Sequence, residues 1–162
     1  MGVEDEFALE DAIENGDVAA VGALLDRGVD PNGSLHAIPD LRFVDLALRT
    51  RDVAMIRLFH ERGADVTSYL GYETNYGDED PTIVQLLLEL GSDPNALDDD
   101  GWAPLHWAAV RGYEEKARVL LSAGSDPTVR TRHGLLPIDL AERNNHLSLV
   151  RLLGAPWTAA EE

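Results

Sequence analysis

From Glu115 to Leu121 the apolar side chains Ala117, Leu120 and Leu121 recur at 3–4 spacing, the period of one helix face. Gly124 ends that helix, and Asp126-Pro127 opens a turn. Another helix precedes it. Pro104 stands where a first helical turn tolerates a missing N–H. Ala108 and Ala109 are small enough for a neighbouring helix to approach closely, and Gly112 stops the helix by permitting a left-handed C-terminal residue. The pattern is helix, tight turn, helix, hairpin-like loop. Such a unit cannot bury both helices alone, so it needs a neighbour to stack on.

The neighbour is in the same chain. Gly101 matches Gly134, Pro104 matches Pro137, Leu105 matches Ile138, Ala108 matches Ala141 and Leu120 matches Leu153, all at an offset of 33 residues. One such match means little, but five at a single offset define a repeat. The second half of the unit recurs as two leucine-like residues, a glycine and an aspartate. It reads LLDRGVDPN to Asn32, LFHERGADVT to Thr67, LLLELGSDPN to Asn95 and LLSAGSDPT to Thr128. The glycines Gly28, Gly63, Gly91 and Gly124 are 35, 28 and 33 residues apart, so one interval is short.

Gly101-Trp102-Ala103-Pro104-Leu105-His106 resembles the G-x-T-P-L-H signature of ankyrin repeats, with Ala103 in place of threonine. The resemblance covers nearly the whole chain. It implies an all-α ankyrin-repeat solenoid of about five stacked helix-turn-helix units, and it implies that His106 hydrogen-bonds neighbouring loop backbone. The units are expected at about 4–34, 35–67, 68–97, 98–130 and 131–157, with 158–162 a frayed tail. The terminal units act as caps. In the second unit Arg42-Phe43-Val44-Asp45-Leu46-Ala47 occupies the proline-motif slot, and Arg51 replaces the turn glycine. Trp107, beside the alanine pair, is expected in the core.

The third unit breaks the pattern. Between Asp65 and Thr82 there is no alanine pair and no helix-starting proline, while Gly71, Gly77 and Asp80-Pro81 oppose a regular helix. Its first helix is expected to be shortened or replaced by a loop, and residues Pro81 to Leu90 to keep the second. Tyr69, Tyr72 and Tyr76 fall in this segment, followed by Asp78-Glu79-Asp80. The rings either patch a core from which helix residues are missing or form a contact for a partner, a use that suits tyrosine.

Composition narrows the functions. The chain has 162 residues, 44% hydrophobic and 27% charged, as a folded domain should. Its 30 acidic and 13 basic residues give a net charge of −17, which repels phosphate backbones and anionic bilayers. Neither nucleic acid nor membrane is an expected partner. The absence of cysteine removes disulfides, thiolate zinc sites and cysteine nucleophiles, and fits a reducing cytoplasm. The acidic start MGVEDEFALE is unlike a secretory signal, and Glu6 stands where a myristoylation motif wants Ser or Thr. The longest aliphatic stretch, Ile83 to Leu90, is broken by Gln85 and Glu89 and falls far short of the ~20 residues that span a bilayer.

Catalytic motifs are absent: there is no G-x-S-x-G, P-loop, H-E-x-x-H or Rossmann glycine pattern. His60-Glu61 lacks a second histidine for zinc. Asp98-Asp99-Asp100-Gly101 does not match the alternating ligands of an EF-hand and reads as a solvated loop tip. No carboxylate pair is singled out for hydrolysis, and no cofactor or metal is expected.

The resemblance implies a non-enzymatic protein–protein interaction module, using loop tips and first-helix faces. The family's contact positions fall on Asp99, Asp100, Trp102, Val110 and Arg111 in the fourth unit. They fall on Arg132, His133, Leu135 and Arg143 in the fifth, and on Arg49 and Tyr69 from the second. Trp102 is the leading hot spot, or else shields the adjoining loop. A negative field favours a positively charged partner protein, although acidity also serves plain solubility. The chain is expected to be a monomer when free. The alternative is an immunity or inhibitor protein that neutralises a cationic toxin or nuclease by occluding its active site. Arginine outnumbers lysine twelve to one, Lys116 being the single lysine, which fits a GC-rich, bacterial coding background.

Overall fold

Asp17 and Asp52 stand directly before apolar runs, and each carboxylate caps the helix that follows. Asp17 Oδ1 accepts from the Ala20 N–H at 2.9 Å, and Asp52 Oδ1 from the N–H groups of Ala54 and Met55 at 2.8 and 3.1 Å. The structure, a computed structural model, describes residues 3–35, 38 and 41–154. The expected frayed tail and the end of the fifth unit lie outside these residues. Among the described residues there are ten α-helices and no strand, only an isolated antiparallel bridge between Ser34 and Arg42. The chain divides into two units, Met1–Val66 and Thr67–Glu162.

In the first unit, α1 (Val3–Glu14) pairs with α2 (Val18–Asp26), and α3 (Phe43–Arg49) with α4 (Val53–Glu61). First helices also pack on first helices and second on second, α1 on α3 and α2 on α4. Leu9, Ile13, Val21, Phe43, Val44, Met55, Ile56 and Phe59 fill the space between them. The second unit repeats this plan. Here α5 (Leu70–Tyr76) pairs with α6 (Thr82–Glu89), α7 (Pro104–Arg111) with α8 (Glu114–Ser122), and α9 (Pro137–Arg143) with α10 (Leu147–Gly154). Helix α7 lies between α5 and α9, and Ala108 and Ala109 are fully buried there, which is the close approach their size permits.

Successive repeats are joined by a polar staple whose sequence sign is the asparagine of the D-P-N loop. Asn32 donates to the Gly63 carbonyl at 3.1 Å and accepts from the Asp65 N–H at 3.1 Å. Asn95 does the same with Gly124 and Asp126, at 3.0 and 2.8 Å. The glycines so contacted have left-handed φ, 88° at Gly63 and 92° at Gly124, and they end the second helices as their recurrence predicts.

The hairpin turns explain where a glycine is indispensable. Gly112 has φ of 80°, and the ring of His146 lies so near that a Cβ would come within 2.7 Å of it. His146 Nε2 donates to the Val110 carbonyl at 3.0 Å, linking the last two repeats. At the equivalent turns Arg51 and Asn145 adopt the same hand, with φ of 55° and 59°. The missing glycine at Arg51 therefore does not change the turn. It adds local backbone strain instead.

The third repeat departs from expectation. A 3-10 turn, Thr67–Tyr69, leads into α5, which is seven residues long like α3 and α9, with Gly71 inside it. The irregularity lies on both sides of the helix. Gly77 is extended, with φ of −66° and ψ of 167°, and residues 77–81 form the connection to α6. The short glycine interval reflects a shortened loop before α5 and not a lost helix: residues 64–69 separate Gly63 from α5, whereas residues 92–103 separate Gly91 from α7, and the hairpin itself is longer than its counterpart at 112–113.

His106 is fully buried, and its hydrogen bonds define its tautomer. Nδ1 accepts from the Ala103 N–H at 3.0 Å, so the proton sits on Nε2, which donates to the carbonyls of Val129 and Leu135 at 3.1 and 3.3 Å. This is the loop contact the family resemblance implies. Burial is the largest influence on the ring and holds its pKa below 6.5, outweighing the three backbone contacts that raise it. The unfolded ring takes up a proton first. Stability is therefore present in full above pH 6.5 and declines as pH falls through the depressed folded value. Urea unfolding at pH 7.5 and 5.5 should show this loss, and His106→Gln should flatten the difference. Equal pH dependence in both proteins would contradict the assignment.

Candidate functional site

The Gly77 N–H caps the Glu73 carbonyl of the short helix α5 at 3.0 Å, and further partners for this helix end come from the α7–α8 hairpin. Arg111 donates from Nε and one Nη to Asn75 Oδ1 at 3.0 and 2.9 Å. Tyr113 Oη donates to the Gly77 carbonyl at 3.2 Å. Lys116 is fully buried; its Nζ donates to the Glu73 carbonyl at 2.8 Å and lies 3.7 Å from Glu73 Oε1 and 5.0 Å from the centre of the Tyr113 ring. Gly77 makes the arrangement possible, because a Cβ there would lie 2.1 Å from Glu73 Oε1.

With its C-terminal end held this way, α5 buries Leu70, Glu73 and Thr74 and turns Tyr72 and Tyr76 outward. Tyr69 is only 9% exposed and meets Tyr72 edge to face, with centroids 6.4 Å apart. The two proposed roles of the tyrosines therefore divide: Tyr69 patches the core, whereas Tyr72 and Tyr76 are 58% and 66% exposed. Their rings lie 4.8 Å apart.

Opposite them is the tip between α6 and α7, shaped by Asp98. Its Oδ1 accepts from the N–H groups of Asp100 and Trp102 at 3.0 and 2.8 Å, and its Oδ2 from Trp107 Nε1 at 3.1 Å. Trp107 is half-buried, correcting its expected place in the core. It stacks on Trp102 with centroids 4.4 Å apart and planes at 29°. Trp102 is likewise half-buried, so it both shields the loop and presents surface.

Between tip and helix lies an open groove of about 430 Å³. Tyr72, Tyr76, Trp102 and Trp107 form its aromatic walls, and Asp98, Asp99 and Asp100 its charged rim. Gly71 and Asn75 belong to the α5 side, and Ala96 and Leu97 to the tip. No basic residue lines it. The Asp99 and Asp100 carboxylates have no ion pair among the described residues. Glycine inside a helix costs about 0.5–1 kcal/mol relative to alanine. Yet a Cβ at Gly71 would meet nothing within 4 Å, so packing does not demand glycine there.

Of the residues singled out from sequence, Tyr72, Tyr76, Asp99, Asp100 and Trp102 meet in this groove. Asp78, Glu79 and Asp80 lie exposed in the α5–α6 connection, and Asp80 Oδ1 caps α6 through the Thr82 N–H at 2.9 Å. Arg111 is engaged by Asn75, and the backbones of Val110 and Leu135 serve His146 and His106. Arg132, His133 and Arg143 are exposed in the last repeat, outside the groove lining, and Arg49 is exposed at the end of α3 in the first unit. Sequence reasoning missed Asp98 and Trp107 as groove residues. The usable sign was an aspartate four residues before a tryptophan across a turn glycine.

A family model described as Ankyrin repeats (3 copies) matches residues 70–158, from the start of α5 onward. The chain belongs to the ankyrin-repeat family. The match includes the irregular third repeat. Among similar proteins, human protein phosphatase 1 regulatory subunit 27 is 34% identical over 103 residues, 64% of this chain and 63% of that one. Ankyrin repeat protein nuc-2 of Neurospora crassa is 28% identical over 158 residues, 92% of this chain but 14% of its own length. The rice potassium channel KOR1 is 40% identical over 76 residues, 47% of this chain and 9% of the channel. The chain thus spans less than two thirds of each of these relatives. Family membership and a regulatory-subunit relative point to a protein–protein interaction module in place of a catalyst. Among the described residues, no helix is long and apolar enough to cross a membrane.

The α5 clamp and the groove surface should respond differently to substitution. Lys116→Ala leaves the Glu73 carboxylate without its buried ammonium and should destabilise by about 3–5 kcal/mol. Tyr76→Ser, at an exposed position, should stay within about 0.5 kcal/mol of the parent. Denaturant midpoints of the two variants measure the contrast, and similar losses would refute the division of roles.

Proposed function

We propose that this ankyrin-repeat protein binds a positively charged partner protein through the groove between α5 and the α6–α7 tip. The observation that carries the reading is the lining itself: four aromatic rings beside three consecutive carboxylates, with no cation among the lining residues. A net charge of −17 extends the same field beyond the groove and speeds encounter with a basic surface. Trp102 and Trp107 supply the rigid area that interface hot spots use. Arg132, His133, Leu135 and Arg143 of unit 131–157, with Val110 and Arg111 of unit 98–130, are further candidate contacts outside the groove lining, and Asp78, Glu79 and Asp80 of unit 68–97 add negative charge. The regulatory-subunit relative supports action by binding another protein, without chemistry of its own.

Affinity capture from the source organism identifies the partner, which should carry a basic surface. Its association rate should fall as salt rises from about 10 mM to about 150 mM, because the Debye length shrinks from roughly 30 to 8 Å. A flat response, or an acidic partner, would refute the charge reading. Trp102→Ala should weaken the complex by more than about 1 kcal/mol. If the partner is a cationic toxin, co-expression should restore growth of the host, which would assign the module an inhibitor's role.

A further inference from the structure

We propose that the groove is an arginine pocket: it receives an arginine side chain from an extended segment of the partner. The guanidinium would lie against the rings of Tyr72, Tyr76, Trp102 and Trp107 and face the carboxylates of Asp99 and Asp100. The inference rests on the reading that the partner is a basic protein, and it goes further by naming the recognised group.

Three observations select arginine. The ring pairs, Tyr72 with Tyr76 at 4.8 Å and Trp102 with Trp107 at 4.4 Å, offer broad π surface, on which a planar, weakly hydrated guanidinium stacks better than a compact ammonium. Asp98 is fully engaged in holding the loop and the Trp107 indole, which leaves Asp99 and Asp100 on the same rim without ion pairs among the described residues. Paired N–H donors of a guanidinium match such carboxylates in geometry as well as charge. The third observation is Gly71. Neither its backbone, which has no left-handed φ, nor its surroundings require glycine, and its missing side chain keeps the α5 side of the groove open. At about 430 Å³ the space takes a long side chain together with part of its backbone.

The test uses the full chain, isotope-labelled, and three capped octapeptides in about 50 mM salt: alternating arginine and glycine, lysine and glycine, and citrulline and glycine. Citrulline keeps the shape of arginine and removes its charge. The arginine peptide should shift the indole N–H signals of Trp102 and Trp107 and bind about tenfold more tightly than the lysine peptide, and the citrulline peptide should leave the signals in place. Gly71→Leu should reduce arginine-peptide affinity by about tenfold while its unfolding midpoint stays equal or rises, since leucine is the better helix former. Tyr72→Ser with Tyr76→Ser should abolish the preference for arginine over lysine. Equal, salt-sensitive binding of the arginine and lysine peptides without indole shifts would overturn the pocket and leave the basic-partner reading standing. Arginine-selective binding untouched by Gly71→Leu would also overturn it. Absence of binding by both cationic peptides would overturn the pocket and the basic-partner reading together.

Discussion

A single buried ammonium does much of the organising in the second unit. Lys116 reaches from α8 to the last turn of α5, adds a second donor to the Glu73 carbonyl beside the Gly77 N–H, and sits next to the Glu73 carboxylate. A buried charge is costly unless it is paired and hydrogen-bonded, so this contact tolerates little displacement. Arg111 and Tyr113 hold the same helix end. Their common effect is to support the helix in the one repeat whose hairpin lacks a left-handed turn, and so to place Tyr72 and Tyr76 across from the tryptophans.

Elsewhere the architecture rests on repeated, modest contacts. The Asn32 and Asn95 staples, the buried alanine pair of α7 and the His106 bonds each join one repeat to the next or to its loop. None is strong alone, since a neutral hydrogen bond contributes about 1 kcal/mol net. Their recurrence is what makes stacking specific. The groove uses this regularity, because its tip hangs from α7 and its wall is α5, two first helices in direct contact.

Regular repeats were readable from sequence because their signals are local: a proline at a helix start, alanines at a close approach, glycines at helix ends. His106 was legible through the family signature. The third repeat was misjudged because Gly71 and Gly77 suggest a broken helix, whereas the compensating groups come from residues about 36 to 43 positions later. Propensity yields there to tertiary contacts. Lys116 gave a sign that could have been followed: it is four residues before Leu120, on the buried face of its helix. Trp107 was placed in the core because it adjoins the alanine pair, but its indole follows Asp98 to the surface. Tyr72, Tyr76, Asp99, Asp100 and Trp102 were each singled out, yet their meeting in one groove depends on the α5 clamp, which no linear pattern displays.

Native-state amide hydrogen exchange of residues 70–76, compared between the parent and Lys116→Met, tests the central claim most directly. Methionine preserves side-chain bulk and removes the charge and the donor. The α5 amides should be protected in the parent and lose most of that protection in the variant, while α7 and α9 keep theirs. Unchanged protection of α5 would show that the helix stands without the clamp, contradicting the account.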